Sequence, residues 1–266
     1  MFLGFILGLV IGTVLGLTGA GGGVLAVPVL VFGFRMTMQQ AAPVALIAVT
    51  LSAGLGAFEG LRKGQVRYKA ATLMAGIGAP MTYVGQLIAR SLAQSSLMLA
   101  FSVVMLVVAF RMFHQRNPHS EQELQPQRVA RINPETGKFI WDGKAFLLLS
   151  VVGATTGFMT GLLGVGGGFF IVPMLKRFTE VTIHGIVATS LLVITLLGSA
   201  ALVGAFIKGV SFDLTVTIVF ASAISIGMLL ARRVAHRVPP LMIQRGFALV
   251  LSLVAMAFLI RVVLWR

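Results

Sequence analysis

Long apolar stretches separated by short polar segments set the pattern of this chain. Three of the stretches contain no Asp, Glu, Lys or Arg: Ala70–Ala89, Ile186–Ile207 and Leu214–Ala231. An uncharged apolar stretch of ~18 or more residues is typical of a helix that crosses the hydrocarbon core of a membrane. The pattern therefore predicts an all-α membrane protein.

Apolar segments fall into two groups of four, one on each side of a polar region. We expect the first segment to remain in the mature chain, because no basic region precedes it. The pattern predicts a first transmembrane repeat over residues 1–113, a polar linker over 114–143 and a second transmembrane repeat over 144–266. The predicted segments are Phe2–Phe34, Ala41–Leu61, Ala70–Ala89, Ser95–Phe113, Ala145–Leu175, Ile183–Ile207, Leu214–Ala231 and Leu241–Val263.

The two groups align with each other in a single register. Placing Gly12 on Gly157 also places Gly16 on Gly161. A register held over such a distance indicates an internal duplication, whose two copies we call copy one and copy two. The same offset matches Gly19 with Gly164, Gly21, Gly22 and Gly23 with Gly166, Gly167 and Gly168, Pro28 with Pro173, and Thr50 with Thr195.

The first segment of each copy is too long for one membrane helix. At about 1.5 Å per residue it would exceed a hydrocarbon core of about 30 Å. The glycine cluster lies near its middle, and each glycine costs a helix interior about 1 kcal/mol. We therefore predict two half-helices around a Gly-rich turn, with the second half starting at Val24 in copy one and at Phe169 in copy two.

The half-helices could either cross the membrane together or turn back as a re-entrant hairpin. The hairpin arrangement gathers Lys and Arg more strongly on one side, which agrees better with the positive-inside rule. It also leaves an odd number of full spans per copy, so that the copies are inverted relative to each other. We therefore expect inverted repeats, with the linker and the loop Arg62–Lys69 in the cytoplasm and both termini outside.

Composition and charge exclude several classes of protein. The chain is 58% hydrophobic and 11% charged, with a net charge of +14. Its basic residues lie in short loops between apolar segments, which indicates membrane orientation rather than nucleic-acid binding. There is no cysteine, and no metal-ligand spacing appears, so we expect no cofactor or metal. No Ser-Lys, His-Glu or paired-Asp constellation occurs within the apolar segments, which argues against an enzyme.

The Gly-rich turns are the candidate substrate site. Exposed backbone N–H groups and the positive end of the following half-helix together favour an anion. The alternative is close helix packing, which we favour for the spaced glycines that precede each cluster, Gly12, Gly16, Gly157 and Gly161. The predicted substrate-binding glycines are Gly19, Gly21, Gly22, Gly23, Gly164, Gly166, Gly167 and Gly168.

Polar side chains within the segments are further candidates. Thr50, Thr189, Ser190 and Thr195 could line a substrate path, although hydroxyls in membrane helices often bond back to their own backbone. Glu59 is either an interfacial carboxylate paired with the neighbouring Arg62 and Lys63 or a proton site for coupled transport; we favour the paired carboxylate.

Both glycine motifs, the proline after each, and the sequence Ala188-Thr189-Ser190-Leu191 resemble the sulfite exporter TauE/SafE family of membrane transporters. The resemblance covers nearly the whole chain except the linker. It implies a secondary transporter in the cell inner membrane that exports sulfite, sulfoacetate or a related organosulfur anion, with H⁺ or Na⁺ as a possible coupling ion. A passive anion channel is the alternative. Copy one departs from the motif, with Pro43-Val44-Ala45 where Thr-Ser is expected, so we expect an asymmetric site.

Overall fold

The computed structural model describes residues 2–18, 22–114, 142–207, 213–234 and 240–264. Within these ranges the regular elements are ten α-helices and one short 3-10 helix, which confirms the predicted all-α class. The α-helices are α1 (Phe2–Thr18), α2 (Ala26–Gly33), α3 (Met38–Arg62), α4 (Tyr68–Ser91), α5 (Gln94–His114), α6 (Gly143–Leu163), α7 (Gly168–Phe178), α8 (Ile183–Ile207), α9 (Leu214–Val234) and α10 (Pro240–Leu264).

Six of the described helices are long and apolar enough to cross a membrane: α3, α5, α6, α8, α9 and α10. The helix α4 is not among them, although Ala70–Ala89 was predicted to span. Its glycines, Pro80 and Gln86 lower its mean hydropathy. It is nevertheless a 24-residue helix that packs along α6.

The predicted break in the first segment of copy two is confirmed. The helix α6 ends at Leu163, and Gly164, Gly166 and Gly167 follow with φ angles of 70°, 74° and 60°. Only glycine adopts this left-handed region without steric cost, so the turn needs the glycines that the sequence supplies. The second half-helix begins at Gly168, one residue before the predicted start.

Copy one differs at its glycine cluster. Gly19 and Gly21 lie outside the described residues, while Gly22 and Gly23 begin a buried 3-10 helix over Gly22–Leu25. Two α-helices therefore flank the cluster as predicted for half-helices, but Gly22 and Gly23 adopt a 3-10 helix, and α2 begins at Ala26 rather than at Val24. Gly22 packs so closely on the backbone of Leu15 that a side chain would not fit. This close contact explains why glycine occupies the position although its backbone is not in the left-handed region.

Each broken segment folds back on itself as a helical hairpin. In copy one the ring of Phe34, just after α2, lies against Gly4 near the start of α1. In copy two, Leu149 of α6 shares an apolar cluster with Ile171 and Leu175 of α7. The two hairpins, α1–α2 and α6–α7, therefore each bring the end of the short helix back toward the start of the long one.

The hairpins pack mainly on helices of the opposite copy. In the pair α1–α9, Gly12 lies directly on the backbone of Ile224, and in the pair α4–α6, Gly157 lies directly on the backbone of Gly78. A Cβ on either glycine would collide with main-chain atoms. The packing role favoured for these spaced glycines is therefore present in the structure.

The helices α3 and α8, which are equivalent in the repeat register, cross each other antiparallel. Thr50 of α3 lies on Gly198 of α8, whereas Gly60 lies on Ala188, so residue numbers rise along one helix as they fall along the other. The carbonyl oxygen of Gln65, in the loop after α3, lies beside the start of α8. Equivalent helices of the two copies therefore run in opposite directions at their contact.

We expect Gly157→Leu to destabilise the fold, because the leucine side chain would force α6 away from α4 along their contact. Overpacking of this kind costs at least about 1–3 kcal/mol. The measurement is the melting temperature of the purified protein in detergent. Gly76→Leu is the matched control, because a Cβ at Gly76 in α4 would meet nothing within 4 Å. Equal melting temperatures for the two variants would contradict the packing role.

Candidate functional site

The second glycine turn presents a buried helix N-terminus. The helix α7 begins at Gly168, which is buried, and its N-cap residue is Gly167. Among the described residues, no side chain makes a capping hydrogen bond at this end of the helix. The first N–H groups of a helix have no partner within the helix, and they carry a partial positive charge. This end of α7 can therefore donate hydrogen bonds to an oxyanion without a charged side chain.

Two threonine side chains of α6 lie beneath this turn. A Cβ on Gly167 would meet the side chain of Thr156 and would lie 3.1 Å from the hydroxyl of Thr160. The Thr160 hydroxyl donates to the carbonyl of Thr156 at 2.8 Å. The Thr156 hydroxyl is fully buried and has no hydrogen-bond partner among the described residues. A buried unsatisfied polar group costs about 1–3 kcal/mol, which makes the Thr156 hydroxyl, like that of Thr50, a candidate contact for a ligand.

The first turn has apolar residues at the matching positions. Gly22, the counterpart of Gly167, packs on Ile11 and Leu15, which are the counterparts of Thr156 and Thr160. The sequence analysis missed this difference. The available signal was the replacement of two apolar residues, four positions apart on one helix face, by two hydroxyl residues in the other copy.

The structure brings the two turns together. A Cβ on Gly23 would lie 3.0 Å from the carbonyl oxygen of Val165 in the second turn. Val49 of α3 and Ile194 of α8, which match in the repeat register, both contact Gly166. The glycine clusters of the two copies therefore contact each other, and apolar side chains of α3 and α8 pack at the junction.

Thr50 and Thr195 directly follow these two apolar residues and lie at the crossing of α3 and α8. The Thr50 hydroxyl is buried against Gly198 and has no hydrogen-bond partner among the described residues. The Thr195 hydroxyl donates to the carbonyl of Leu191 at 2.8 Å. Both candidates thus lie one residue from the side chains that contact the second turn.

Thr189 and Ser190 make other contacts. The Thr189 hydroxyl accepts a hydrogen bond of 3.0 Å from the backbone N–H of Arg67, in the loop between α3 and α4. The Ser190 hydroxyl donates to the carbonyl of Val187 at 2.8 Å. In this conformation, therefore, the Thr189 hydroxyl joins α8 to that loop, and the Ser190 hydroxyl bonds to its own helix.

A polar contact joins the copies near the end of α3. Glu59 forms ion pairs with Lys63 and with Arg232 of α9, the latter at 3.0 Å. The same Arg232 donates through Nη1 to the carbonyl of Gly56 at 2.7 Å. Sequence reasoning anticipated pairing of Glu59 with a neighbour on α3, but it missed the partner on α9. The available signal was the position of Glu59 near the end of an otherwise apolar helix, where a carboxylate is stabilised by pairing with basic residues of a neighbouring helix.

A matching contact joins α4 and α8, the helices that correspond to α9 and α3 in the repeat register. Gln86 of α4 donates through Nε2 to the carbonyl of Ala201 in α8 at 2.7 Å. Ala201 is the counterpart of Gly56 in the repeat register. The pairs α3–α9 and α4–α8 therefore carry equivalent side-chain-to-backbone clasps, one made by a guanidinium and the other by a neutral amide.

Acidic and metal-binding chemistry is sparse in this region. Among the residues that the structure describes, no group of three or more His, Cys, Asp and Glu side chains that could hold a metal ion is present. The donors around the second turn are main-chain N–H groups and hydroxyls, which suit an anionic ligand.

Comparison with known proteins identifies the family of the chain. The family model for Sulfite exporter TauE/SafE matches residues 4–258. A probable membrane transporter protein of Xylella fastidiosa strain 9a5c is 30% identical over 191 residues, which cover 71% of this chain and 67% of the relative. The probable membrane transporter protein YunE of Bacillus subtilis strain 168 is 24% identical over 77% of both chains. No solved structure matches the chain.

The family match spans both glycine turns, both hairpins and the helices that hold them, and it passes through the linker between the two copies. The relatives that cover the greater part of the chain carry the same general description. The chain belongs to the sulfite exporter TauE/SafE family of membrane transporters.

Proposed function

We propose that the chain is a secondary transporter that exports a small oxyanion, such as sulfite, sulfoacetate or a related organosulfonate, across a bacterial inner membrane without altering it chemically. The observation that carries this proposal is the buried N-terminus of α7, which no side chain caps, beside Thr156, whose methyl group faces Gly167 and whose buried hydroxyl has no hydrogen-bond partner among the described residues. Sulfite and sulfonates present several negatively charged oxygens, which are acceptors for such donors.

The proposed site holds the anion with partial charges rather than with a full cation. About half an elementary charge at the N-terminus of α7 attracts the oxyanion without leaving a fixed charge buried when the site is empty. The turn Gly164–Gly168 lets the anion approach the main chain, and Thr156 adds one hydroxyl donor. Gly22 and Gly23 form the facing wall in this proposal, and Thr50 and Thr195 extend the path along the crossing of α3 and α8. Gly19 and Gly21 lie outside the described residues and stay predictions from the sequence.

The transport cycle in this proposal uses two inverted repeats. The antiparallel crossing of α3 and α8 supports inversion, because copies of the same orientation would place these helices parallel. The hairpins would then enter the membrane from opposite sides and meet at their glycine turns. The Arg232 and Gln86 clasps lie on equivalent helix pairs. Breaking one while the other forms would therefore make each copy adopt the conformation that the other had before. H⁺ or Na⁺ would supply the coupling gradient.

The topology can be tested by cysteine labelling, since the native chain has no cysteine. We expect Gln65→Cys and Glu180→Cys to react with a membrane-impermeant maleimide only from the cytoplasmic side, and Ala93→Cys only from outside. The inverted arrangement puts the first two positions at one face and the third at the other. If Gln65→Cys and Glu180→Cys react from opposite sides, the repeats share one orientation and the proposed cycle fails.

The anion site can be tested with Thr156→Val, which keeps the shape of the side chain and removes the hydroxyl. We expect the concentration of sulfite needed for half-maximal transport in proteoliposomes to rise about tenfold or more, because a hydrogen bond to a charged group is worth about 1.5–3 kcal/mol. The melting temperature without anion should not fall, because the variant removes an unsatisfied buried group.

Thr155→Val is the matched control, since the Thr155 hydroxyl donates to the carbonyl of Val151 on its own helix. Unchanged sulfite transport in Thr156→Val would place the site elsewhere. The same assay separates a transporter from a passive anion channel: a transporter gives saturable flux that responds to an imposed H⁺ or Na⁺ gradient. Flux that rises in proportion to anion concentration and ignores both gradients would show a channel.

A further inference from the structure

A cationic groove lies between the ends of α3 and α9. It encloses about 590 Å³. Its charged lining consists of four basic residues, Arg62, Lys63, Arg232 and Arg233, against the single carboxylate of Glu59. The groove therefore keeps a positive charge after the ion pairs within it are counted, and it is distinct from the glycine turns.

The basic residues of the groove divide into an inner cation and an outer group. The side chain of Arg232 is only 14% exposed and is held by Glu59 and the Gly56 carbonyl. The side chain of Lys63 is 57% exposed, and Arg62 and Arg233 are exposed as well. The inner cation thus fastens α9 to α3. The outer three face the surroundings, where Lys63 also pairs with Glu59 on its own helix and Arg62 and Arg233 supply the net positive charge that can attract an anion.

The rest of the groove wall is apolar and exposed. Leu55 and Phe58 of α3 are 45% and 56% exposed, and Leu229 of α9 is 41% exposed. The guanidinium of Arg62 lies over the Phe58 ring at 4.5 Å, so the charged and apolar parts of the wall are continuous. A free inorganic anion would leave this apolar wall uncovered, whereas a molecule with an anionic head and a hydrocarbon tail would cover both parts.

The position of the groove along the helices agrees with such a molecule. The candidate membrane spans of α3 and α9 end at Arg62 and Arg233, so the basic residues lie where apolar helices leave the hydrocarbon core. Lipid phosphates lie at this level, and Lys and Arg at helix ends extend toward them. The apolar wall lies one to two turns deeper, at the level of the acyl chains.

We propose that this groove is a binding site for an anionic phospholipid. The phosphate contacts Arg62, Lys63 and Arg233, and the first methylenes of an acyl chain lie along Leu55, Phe58 and Leu229. A bound lipid would cover the clasp between α3 and α9 from the membrane side.

The test is native mass spectrometry of the full chain released from nanodiscs that contain equal amounts of phosphatidylglycerol and phosphatidylcholine. We expect the wild type to retain phosphatidylglycerol preferentially, and Arg62→Gln/Arg233→Gln to retain about tenfold less of it. Lys176→Gln/Arg177→Gln is the control, because it removes the same charge from the end of α7 and should retain the lipid as the wild type does. Equal losses in the two double variants would show a general charge effect and overturn the site.

A second measurement does not depend on any variant. The melting temperature of the wild type should rise when phosphatidylglycerol replaces phosphatidylcholine, and sn-glycerol 3-phosphate at the same concentration should not produce this rise. A comparable rise with the soluble phosphate would assign the groove to free anions and overturn the lipid proposal. An unchanged melting temperature in both lipids would also overturn it.

Discussion

Direct contact between helix backbones of different copies is the constraint on which the rest of the structure depends. Lipid tails are as apolar as the side chains they would replace, so helices in a membrane associate through close packing rather than through the hydrophobic effect. Gly12 on Ile224 and Gly157 on Gly78 provide this packing. Because each contact joins opposite copies, each hairpin is positioned by a helix that its own copy does not supply.

Much of the fold could be predicted from the sequence because duplication repeats its own signal. Two glycine clusters in one register indicate a broken helix more strongly than either cluster alone. The sequence could not indicate which helices pair. Spaced glycines show that another helix packs closely on the helix that carries them, but they do not identify that second helix. It also could not separate the left-handed turn at Gly167 from the 3-10 helix at Gly22, since glycine permits both conformations.

The candidate site was less predictable for a related reason. Hydroxyls in membrane helices usually bond to their own backbone, so sequence alone gives Thr156 no more weight than many other threonines. Its place in the proposed site rests on a missing hydrogen-bond partner and on contact with Gly167, both of which require coordinates. Thr189 shows the opposite case, because its hydroxyl, which the family motif singled out, is already bonded to the loop between α3 and α4.

The difference between the two clasps has a thermodynamic consequence. A duplicated chain with identical halves would have two end states of equal energy, related by exchange of its copies. The guanidinium of Arg232, paired with a carboxylate, and the amide of Gln86 are one of the differences that remove this degeneracy, together with the pair Ile11 and Leu15 opposite Thr156 and Thr160. Of the two clasps only the ion pair weakens as salt is added, so in the proposed cycle the relative populations of the two end states should change with ionic strength.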